Sequence, residues 1–364
     1  MAPKLNIHRR QFLQLSGAAA ATCVLTSCSS PESHFKCSDL DPDAEQLCVD
    51  PIDILEQVDP ELRLLYRAIP DPLFDLENTP LSLIRTFTSV PSLRPPEGLA
   101  IDDIEITTED GYDLSLRIYR PDSLGRGAAA IYTIHAGGLV LGTVSQEDSR
   151  NIALATRLNA LVVAPRYRLA PEYPYPTPLD DCYRGLTWLA DSALELGIDK
   201  TRIAISGQSA GGGLAAAVAL RARDNDGPAI RFQVLHYPML DDRNTTQSSF
   251  TMANSKMWGR KANLWAWNAY LAGLSGDQDI PHYAAPGRAT DLRNLPPTYI
   301  AVGTLDLFLD ESIHYARALM TAGVATELHL YSGAFHAVDL IPGSALSKRW
   351  RDDDVEALRR GLGL

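Results

Sequence analysis

An α/β fold with a mostly parallel sheet is predicted from three features of the sequence. Short apolar runs alternate with helix-length segments, and the runs are apolar throughout rather than at every second residue. Strands apolar on both faces are typical of a parallel sheet with helices on both faces. A chain of 364 residues with 45% hydrophobic content can also bury a large core. The six runs lie at 128–134, 160–165, 202–206, 232–238, 298–303 and 326–331.

Two further strands are predicted before these runs, and one long segment interrupts the runs. Residues 104–106 and 114–118 alternate between apolar and polar side chains around a turn at Asp110-Gly111, which is the pattern of a β-hairpin. The hairpin brings the predicted sheet to eight strands. Residues 239–297 contain the tryptophan-rich stretch MWGRKANLWAWNAYLAGL, and this segment is too long for an ordinary connection. It is therefore predicted to form part of a lid.

Composition excludes several classes of function. The formal net charge is −12 and the sequence pI is about 5.1, so there is no basic stripe and no nucleic-acid partner is expected. No run of about 20 apolar residues follows the N-terminal region, so no transmembrane helix is expected in the body of the chain. The cysteines have no metal-ligand spacing, so no metal is expected. Cys182 is predicted to be a small buried apolar residue.

The first 28 residues have the layout of an export signal. Arg9-Arg10 precede an apolar, alanine-rich stretch and resemble the twin-arginine type of signal. Residues 25–28 resemble the lipobox of bacterial lipoproteins, in which the cysteine receives lipid after cleavage. We therefore expect an exported protein that is anchored to the membrane by lipid at Cys28. Cleavage near 19–21 without lipid, or an uncleaved leader, are the alternatives.

Residues 29–50 are predicted to be a linker between this leader and one catalytic domain over 51–364. Cys37 and Cys48 flank an acidic loop in the linker. In an oxidising compartment these two residues could form a disulfide, and two free thiols are the alternative.

Ser209 is the candidate nucleophile. It follows the apolar run at 202–206 and opens a helix-forming segment, with Gly207 and Gly211 two positions away on either side. A nucleophile elbow requires this strand, turn and helix, because its backbone is too tight for a Cβ at the flanking positions. An ordinary structural Gly-Ser turn is the alternative.

A base and an orienting acid are predicted at the ends of two later strands. His336 lies just beyond the last run, and Asp306 follows the run at 298–303. With the serine, they occupy the carboxyl ends of parallel strands, where ligands bind in such sheets. His236 and His329 are predicted to pack within the sheet. Asp310, close to the candidate acid, is predicted to cap the helix that it opens.

Backbone N–H groups that could stabilise an oxyanion are predicted in two places. The loop after the first run contains Gly137 and Gly138, and Ala210 directly follows the nucleophile. His135, at the start of the loop, is predicted to hold the loop in place rather than to transfer protons.

With these motifs, the chain resembles the hormone-sensitive-lipase-like branch of the α/β-hydrolases, a group of bacterial carboxylesterases. The resemblance covers roughly residues 100–345. The chain departs from the family's H-G-G-G loop at Ala136 and from its G-D-S-A-G-G elbow at Gln208. The second departure removes a charge beside the nucleophile and is expected to alter the optimum pH. The other matching stretches are YRLAPEYPYPTPLDD at 167–181, YAAP at 283–286 and LPPTYIAVGTLDLFLDE at 295–311.

The resemblance implies an α/β-hydrolase fold over 51–364, with a helical cap formed by 51–100 and 240–290. It also implies a serine carboxylesterase that acts on short to medium-chain esters through an acyl-enzyme and needs no cofactor. An amidase or a deacetylase would use the same three side chains. A small-molecule receptor without catalysis is a further alternative, because this fold also supports that function.

Overall fold

A computed structural model describes residues 52–274 and 279–364. The predicted export signal with Cys28, and the pair Cys37 and Cys48, lie outside these residues. Within the described ranges, no helix is both long enough and apolar enough to cross a bilayer.

Eight strands form one sheet in this part of the chain, as the sequence predicts. They are β1 (Leu99–Thr107), β2 (Asp113–Pro121), β3 (Ala128–Ile134), β4 (Leu161–Pro165), β5 (Ile198–Gln208), β6 (Phe232–His236), β7 (Thr298–Leu305) and β8 (Thr326–Phe335). Their order across the sheet is β1-β2-β4-β3-β5-β6-β7-β8. The predicted hairpin, β1 with β2, is antiparallel, as is β2 with β4. The remaining pairs are parallel.

Burial explains why the central strands appear as continuous apolar runs. All five residues of β4 are buried, as are four of the five residues of β6. Three strands, β5, β7 and β8, extend beyond their apolar runs. After Ile198, residues 199–201 of β5 are polar and partly or fully exposed, and the last residues of β8 include Ser332 and Gly333, so apolar content alone does not mark these ends.

Helices cover both faces of the sheet. They are α1 (Arg63–Ala68), α2 (Leu81–Thr88), α3 (Asp148–Leu158), α4 (Thr177–Asp191), α5 (Ala193–Leu196), α6 (Ala210–Asp224), α7 (Gln247–Thr251), α8 (Arg260–Tyr270), α9 (Leu309–Thr321) and α10 (Ala345–Leu362). Helices α3 and α10 pack together on one face, and α4, α6 and α9 lie on the other. The architecture is the α/β-hydrolase fold that the resemblance implies.

The two segments predicted to form the cap contact each other. The Ile52 N–H donates to the carbonyl oxygen of Thr251 at 3.2 Å, and the Leu73 N–H donates to that of Lys256 at 3.1 Å. The Lys256 ammonium in turn donates to the Ile69 carbonyl oxygen at 3.0 Å. Strand β1 begins at Leu99, so the sheet includes the last two residues of the first segment.

Two of the three side chains predicted to be packed away from solvent are fully buried. Cys182 in α4 and His236 in β6 are both inaccessible, as predicted. His329 differs, because β8 is an edge strand of the sheet. Its ring packs on Tyr299 with centroids 4.9 Å apart, but the side chain is partly exposed and its Nε2 lies 2.7 Å from a carboxylate oxygen of Glu327.

Candidate active site

The sheet order brings the ends of β5, β7 and β8 to one edge of the sheet. Ser209 follows β5 directly, Asp306 follows β7, and His336 follows β8. Leu305 and Phe335 are paired across β7 and β8, so the acid and the histidine leave the sheet side by side. The predicted residues are therefore neighbours, although up to 127 positions separate them in the chain.

The backbone at Ser209 forms a tight turn between β5 and α6. Its φ is 53° and its ψ is −120°, a conformation that L-residues rarely adopt. The Ser209 N–H donates to the His236 carbonyl oxygen at 2.9 Å, and the Ser209 carbonyl oxygen accepts from Gly213 and Met239, each at 3.0 Å. A Cβ at Gly211 would overlap the carbonyl oxygen of Ile134, which explains the glycine at that position.

Three buried side chains form a continuous hydrogen-bonded chain. The Nε2 atom of His336 lies 3.1 Å from the Oγ of Ser209. On the other side of the ring, Nδ1 lies 2.9 Å from Oδ2 of Asp306 and 3.2 Å from Oδ1. With the proton on Nδ1, the ring donates to the carboxylate and Nε2 is free to accept the serine proton. This geometry allows proton transfer from the serine hydroxyl.

Neighbouring rings and a backbone group hold the histidine and the acid in place. The His336 ring meets Tyr237 with centroids 4.7 Å apart and Phe308 with centroids 5.3 Å apart, both edge-on. Asp306 is fully buried, and its Oδ1 accepts from the Phe308 N–H at 2.9 Å. The imidazole therefore has little freedom to rotate away from the serine.

The glycine loop leaves β3 next to the turn at the nucleophile. Ile134 and Gly207 are paired across β3 and β5, so the loop and the start of α6 begin at the same level of the sheet. Gly137 has a φ of 130° and Gly138 a φ of 59°, both in the left-handed region that favours glycine. Ala210 is the first residue of α6, where an N–H has no acceptor within the helix.

His135 stabilises this loop, as predicted. Its ring stacks on Tyr167 with centroids 4.2 Å apart, and the Tyr167 hydroxyl donates to the His135 carbonyl oxygen at 3.0 Å. Burial lowers the pKa of His135 to about 4, so the ring is neutral near pH 7. Its Nδ1 can then donate to the Ala136 carbonyl oxygen, 2.7 Å away. The loop residues with positive φ begin at Gly137, so the backbone at Ala136 does not require a glycine.

Gln208, Tyr237 and Asp339 form a hydrogen-bonded network beside Ser209, and the sequence motifs identify only Gln208. The Gln208 amide donates to Asp339 Oδ2 at 2.5 Å and to the Tyr237 hydroxyl oxygen at 3.1 Å. The Tyr237 hydroxyl donates to Asp339 Oδ1 at 2.6 Å. An acidic residue at 208, as in the usual family motif, would face the Asp339 carboxylate, whereas the amide donates to it. The departure at Gln208 is thus matched to its buried neighbour.

Glu147 lies behind the glycine loop and was not identified from the sequence. Its carboxyl group is buried and faces the Ala136 N–H. Burial raises the pKa of Glu147 to about 7, and the nearby Arg150 guanidinium only partly offsets this effect. A glutamate before a predicted helix gives no sign of such burial.

A second polar cluster supports the strand below the nucleophile. The Trp350 indole N–H donates to Nδ1 of His236 at 2.8 Å, and His236 Nε2 lies 3.0 Å from Asp354 Oδ1. Arg150 donates to Asp354 Oδ2 at 3.0 Å and to Ser206 Oγ at 2.7 Å. Burial opposes ionisation of Asp354, but Arg150 and His236 outweigh it and lower the pKa of its carboxyl group. Helix α10 is thereby fixed to β5 and β6.

Asp310 caps a helix, but that helix is α7, in the segment predicted to form the cap, rather than α9. Its Oδ2 accepts from the Ser248 N–H in the first turn of α7 at 2.7 Å, and no side chain caps the N-terminus of α9. Glu311, next in the chain, accepts from the N–H groups of Leu240 and Asp241 at 3.2 and 3.1 Å. The prediction that Asp310 caps α9 is therefore wrong. Asp310 and Glu311, both in the first turn of α9, instead hold the segment that follows β6.

Among residues 52–274 and 279–364, no group of three or more His, Cys, Asp or Glu side chains is arranged to hold a metal ion.

Comparisons with known proteins agree with this geometry. A family model described as "alpha/beta hydrolase fold" matches residues 131–340, which is more than half of the chain. "Esterase LipI" of Mycobacterium tuberculosis is 35% identical over 84% of this chain and 93% of its own length. "Ethyl acetate hydrolase" of Pseudomonas putida is 34% identical over 65% of this chain and 74% of its own length.

A solved structure shows the same similarity in three dimensions. "Bacterial Heroin Esterase" superimposes with a TM-score of 0.81 at 37% identity and covers 85% of this chain and 99% of its own. At this level of identity and coverage the likeness extends beyond the fold to the family. The chain belongs to the hormone-sensitive-lipase-like carboxylesterases of the α/β-hydrolase family.

Proposed function

We propose that this protein is a serine carboxylesterase that hydrolyses short to medium-chain carboxylic esters through an acyl-enzyme. The observation that carries the proposal is the position of His336, whose Nε2 lies 3.1 Å from Ser209 Oγ while its Nδ1 lies 2.9 Å from Asp306. The printed names of the relatives support the reaction, since they include an esterase and an ethyl acetate hydrolase.

In the proposed reaction, Ser209 Oγ attacks the ester carbonyl carbon while His336 Nε2 takes the hydroxyl proton. Negative charge then develops on the carbonyl oxygen, where the N–H groups of Gly137, Gly138 and Ala210 stabilise it. His336 returns the proton to the departing alcohol, which leaves Ser209 acylated. Water then attacks the acyl-enzyme with the same histidine as base, and the acid and free serine are released. Asp306 keeps the imidazole in the required tautomer throughout.

A panel of chromogenic substrates tests the reaction type. We expect nitrophenyl acetate, butyrate and octanoate to be hydrolysed by the purified protein, and a nitroanilide of the same acyl groups to react far more slowly. Comparable turnover of the anilide would indicate an amidase or a deacetylase. Binding of esters without any turnover by the folded protein would indicate a receptor.

We also propose that the protein is exported and anchored by lipid at Cys28. The proposal is supported by Arg9-Arg10, the apolar stretch after them and the lipobox-like residues 25–28. Intact-mass measurement of the membrane fraction is expected to give a chain that begins at Cys28 and carries lipid, whereas Cys28→Ser gives no lipid-modified chain. A full-length, unmodified N-terminus in the cytoplasm would contradict both export and lipid attachment.

A further inference from the structure

We propose that Trp258, in the cap, is a specificity-determining residue that limits the length of one arm of the bound ester. This inference rests on the proposed esterase function and assigns a residue that the motifs do not identify. It starts from one contact: a Cβ at Gly138 would overlap the Cη2 and Cζ2 atoms of Trp258. The six-membered ring of the indole therefore lies directly against the Cα of this glycine.

This contact places an apolar wall beside the proposed oxyanion site. Gly138 is one of the three residues whose N–H groups are assigned to the carbonyl oxygen of the substrate. An ester that binds there must direct its two arms, the acyl chain and the alcohol, away from the carbonyl carbon on either side. The arm on the side of Gly138 would run toward the indole ring. Long groups on that side are excluded unless the indole moves.

The indole is held so that it cannot move easily. Its Nε1 donates to Asn263 Oδ1 at 3.0 Å, and the Asn263 amide donates to Asn244 Oδ1 at 2.5 Å. Phe74 from the N-terminal segment packs edge-on against the ring, with centroids 5.9 Å apart and an interplanar angle of 61°. Trp258 is only 4% exposed. The indole is thus fixed by the Asn263 amide on one side and by Phe74 of the N-terminal segment on the other.

The matched control is Trp265, a partly buried tryptophan of the same cap that lies on α8 and packs against the core. Replacing it removes a similar volume from the cap without altering the contact at Gly138. If variants at both positions change the chain-length preference, the cause is a loosened cap. If only variants at Trp258 change it, the cause is the contact of the indole with Gly138.

The experiment compares Trp258→Leu, Trp258→Phe and Trp265→Leu with the wild type. Each is assayed with nitrophenyl esters of two to ten carbons and, separately, with alkyl acetates of increasing alcohol length. One methylene in an apolar pocket changes kcat/KM by about 10–200-fold. We therefore expect Trp258→Leu to raise the ratio of kcat/KM for octanoate over acetate, or for octyl over ethyl acetate, by about tenfold or more. Trp258→Phe is expected to give a smaller shift in the same series, and Trp265→Leu none.

The series that shifts identifies the arm, acyl or alcohol, that Trp258 limits. Thermal melting confirms that each variant is folded, and Trp258→Phe provides a conservative replacement if Trp258→Leu does not fold. Ratios within twofold of the wild type in both series, or the same shift in Trp265→Leu, would overturn the inference while leaving the esterase intact. A wild type that hydrolyses none of the esters would instead overturn the proposed function.

Discussion

Ser209→Ala is expected to abolish ester hydrolysis, with kcat reduced by about 10⁶, the scale seen when a hydrolase loses its nucleophile. The variant should keep its fold, because the bonds that shape the turn come from the Ser209 backbone. Its N–H donates to His236 and its carbonyl oxygen accepts from Gly213 and Met239. Only the bond to His336 is lost with the hydroxyl group. Turnover of a nitrophenyl ester and the melting temperature are the two measurements.

Gly211→Ala is the informative comparison for this variant. Its Cβ would overlap the backbone of Ile134, so the substitution forces the turn apart and is expected to lower stability as well as activity. Near-normal turnover by a folded Ser209→Ala protein would contradict the serine mechanism.

Asp306→Asn is expected to reduce kcat by up to about 10⁴, which is the scale of a triad whose imidazole is held in the wrong tautomer. The amide is nearly the same size as the carboxylate, and its oxygen can still accept from the Phe308 N–H. Its NH₂ group, however, presents a donor to His336 Nδ1 and favours a ring with the proton on Nε2. Such a ring cannot take the proton of Ser209. Single-turnover kinetics on the purified variant measure this loss.

Asp310→Asn serves as the matched control for the acid. The substitution weakens the cap on α7, where Asp310 accepts from the Ser248 N–H, and is expected to cost about 0.5–2 kcal/mol of stability. Activity should remain, because the Asp310 side chain contacts α7 rather than His336. If Asp310→Asn were inactive and Asp306→Asn fully active, the assignment of the orienting acid would be wrong.

The features that could be predicted from the sequence depend on local pattern and strand order. The central strands are buried on both faces, so their apolar runs mark them directly, and parallel strands bring their carboxyl ends to one edge. Ser209 is recognisable because Gly207 and Gly211 reflect a turn that excludes any Cβ. The candidate acid and base could be located because each lies within five residues of the end of an apolar run.

The features that could not be predicted depend on contacts between distant segments. The hydrogen bond from Gln208 to Asp339 spans 131 positions, and the partner of Asp310 is a helix 62 positions earlier in the chain. Glu147 resembles an ordinary surface glutamate before a helix until its burial is known. Trp258 is one of several aromatic residues in its segment, and only the folded cap shows which of them meets the glycine loop.

The N-terminal segment joins the molecule beside the proposed active site, which fixes where a lipid tether would attach. The Ile52 N–H donates to the Thr251 carbonyl oxygen, and the Tyr66 ring contacts that of Phe335, with centroids 4.8 Å apart, next to His336. The 24 residues from 29 to 52 can span at most about 85 Å. A lipid on Cys28, as proposed, would therefore attach the protein on the side of the proposed active site. Such a tether is longer than the domain diameter of about 50 Å, so it would hold the domain near the bilayer while leaving it free to turn.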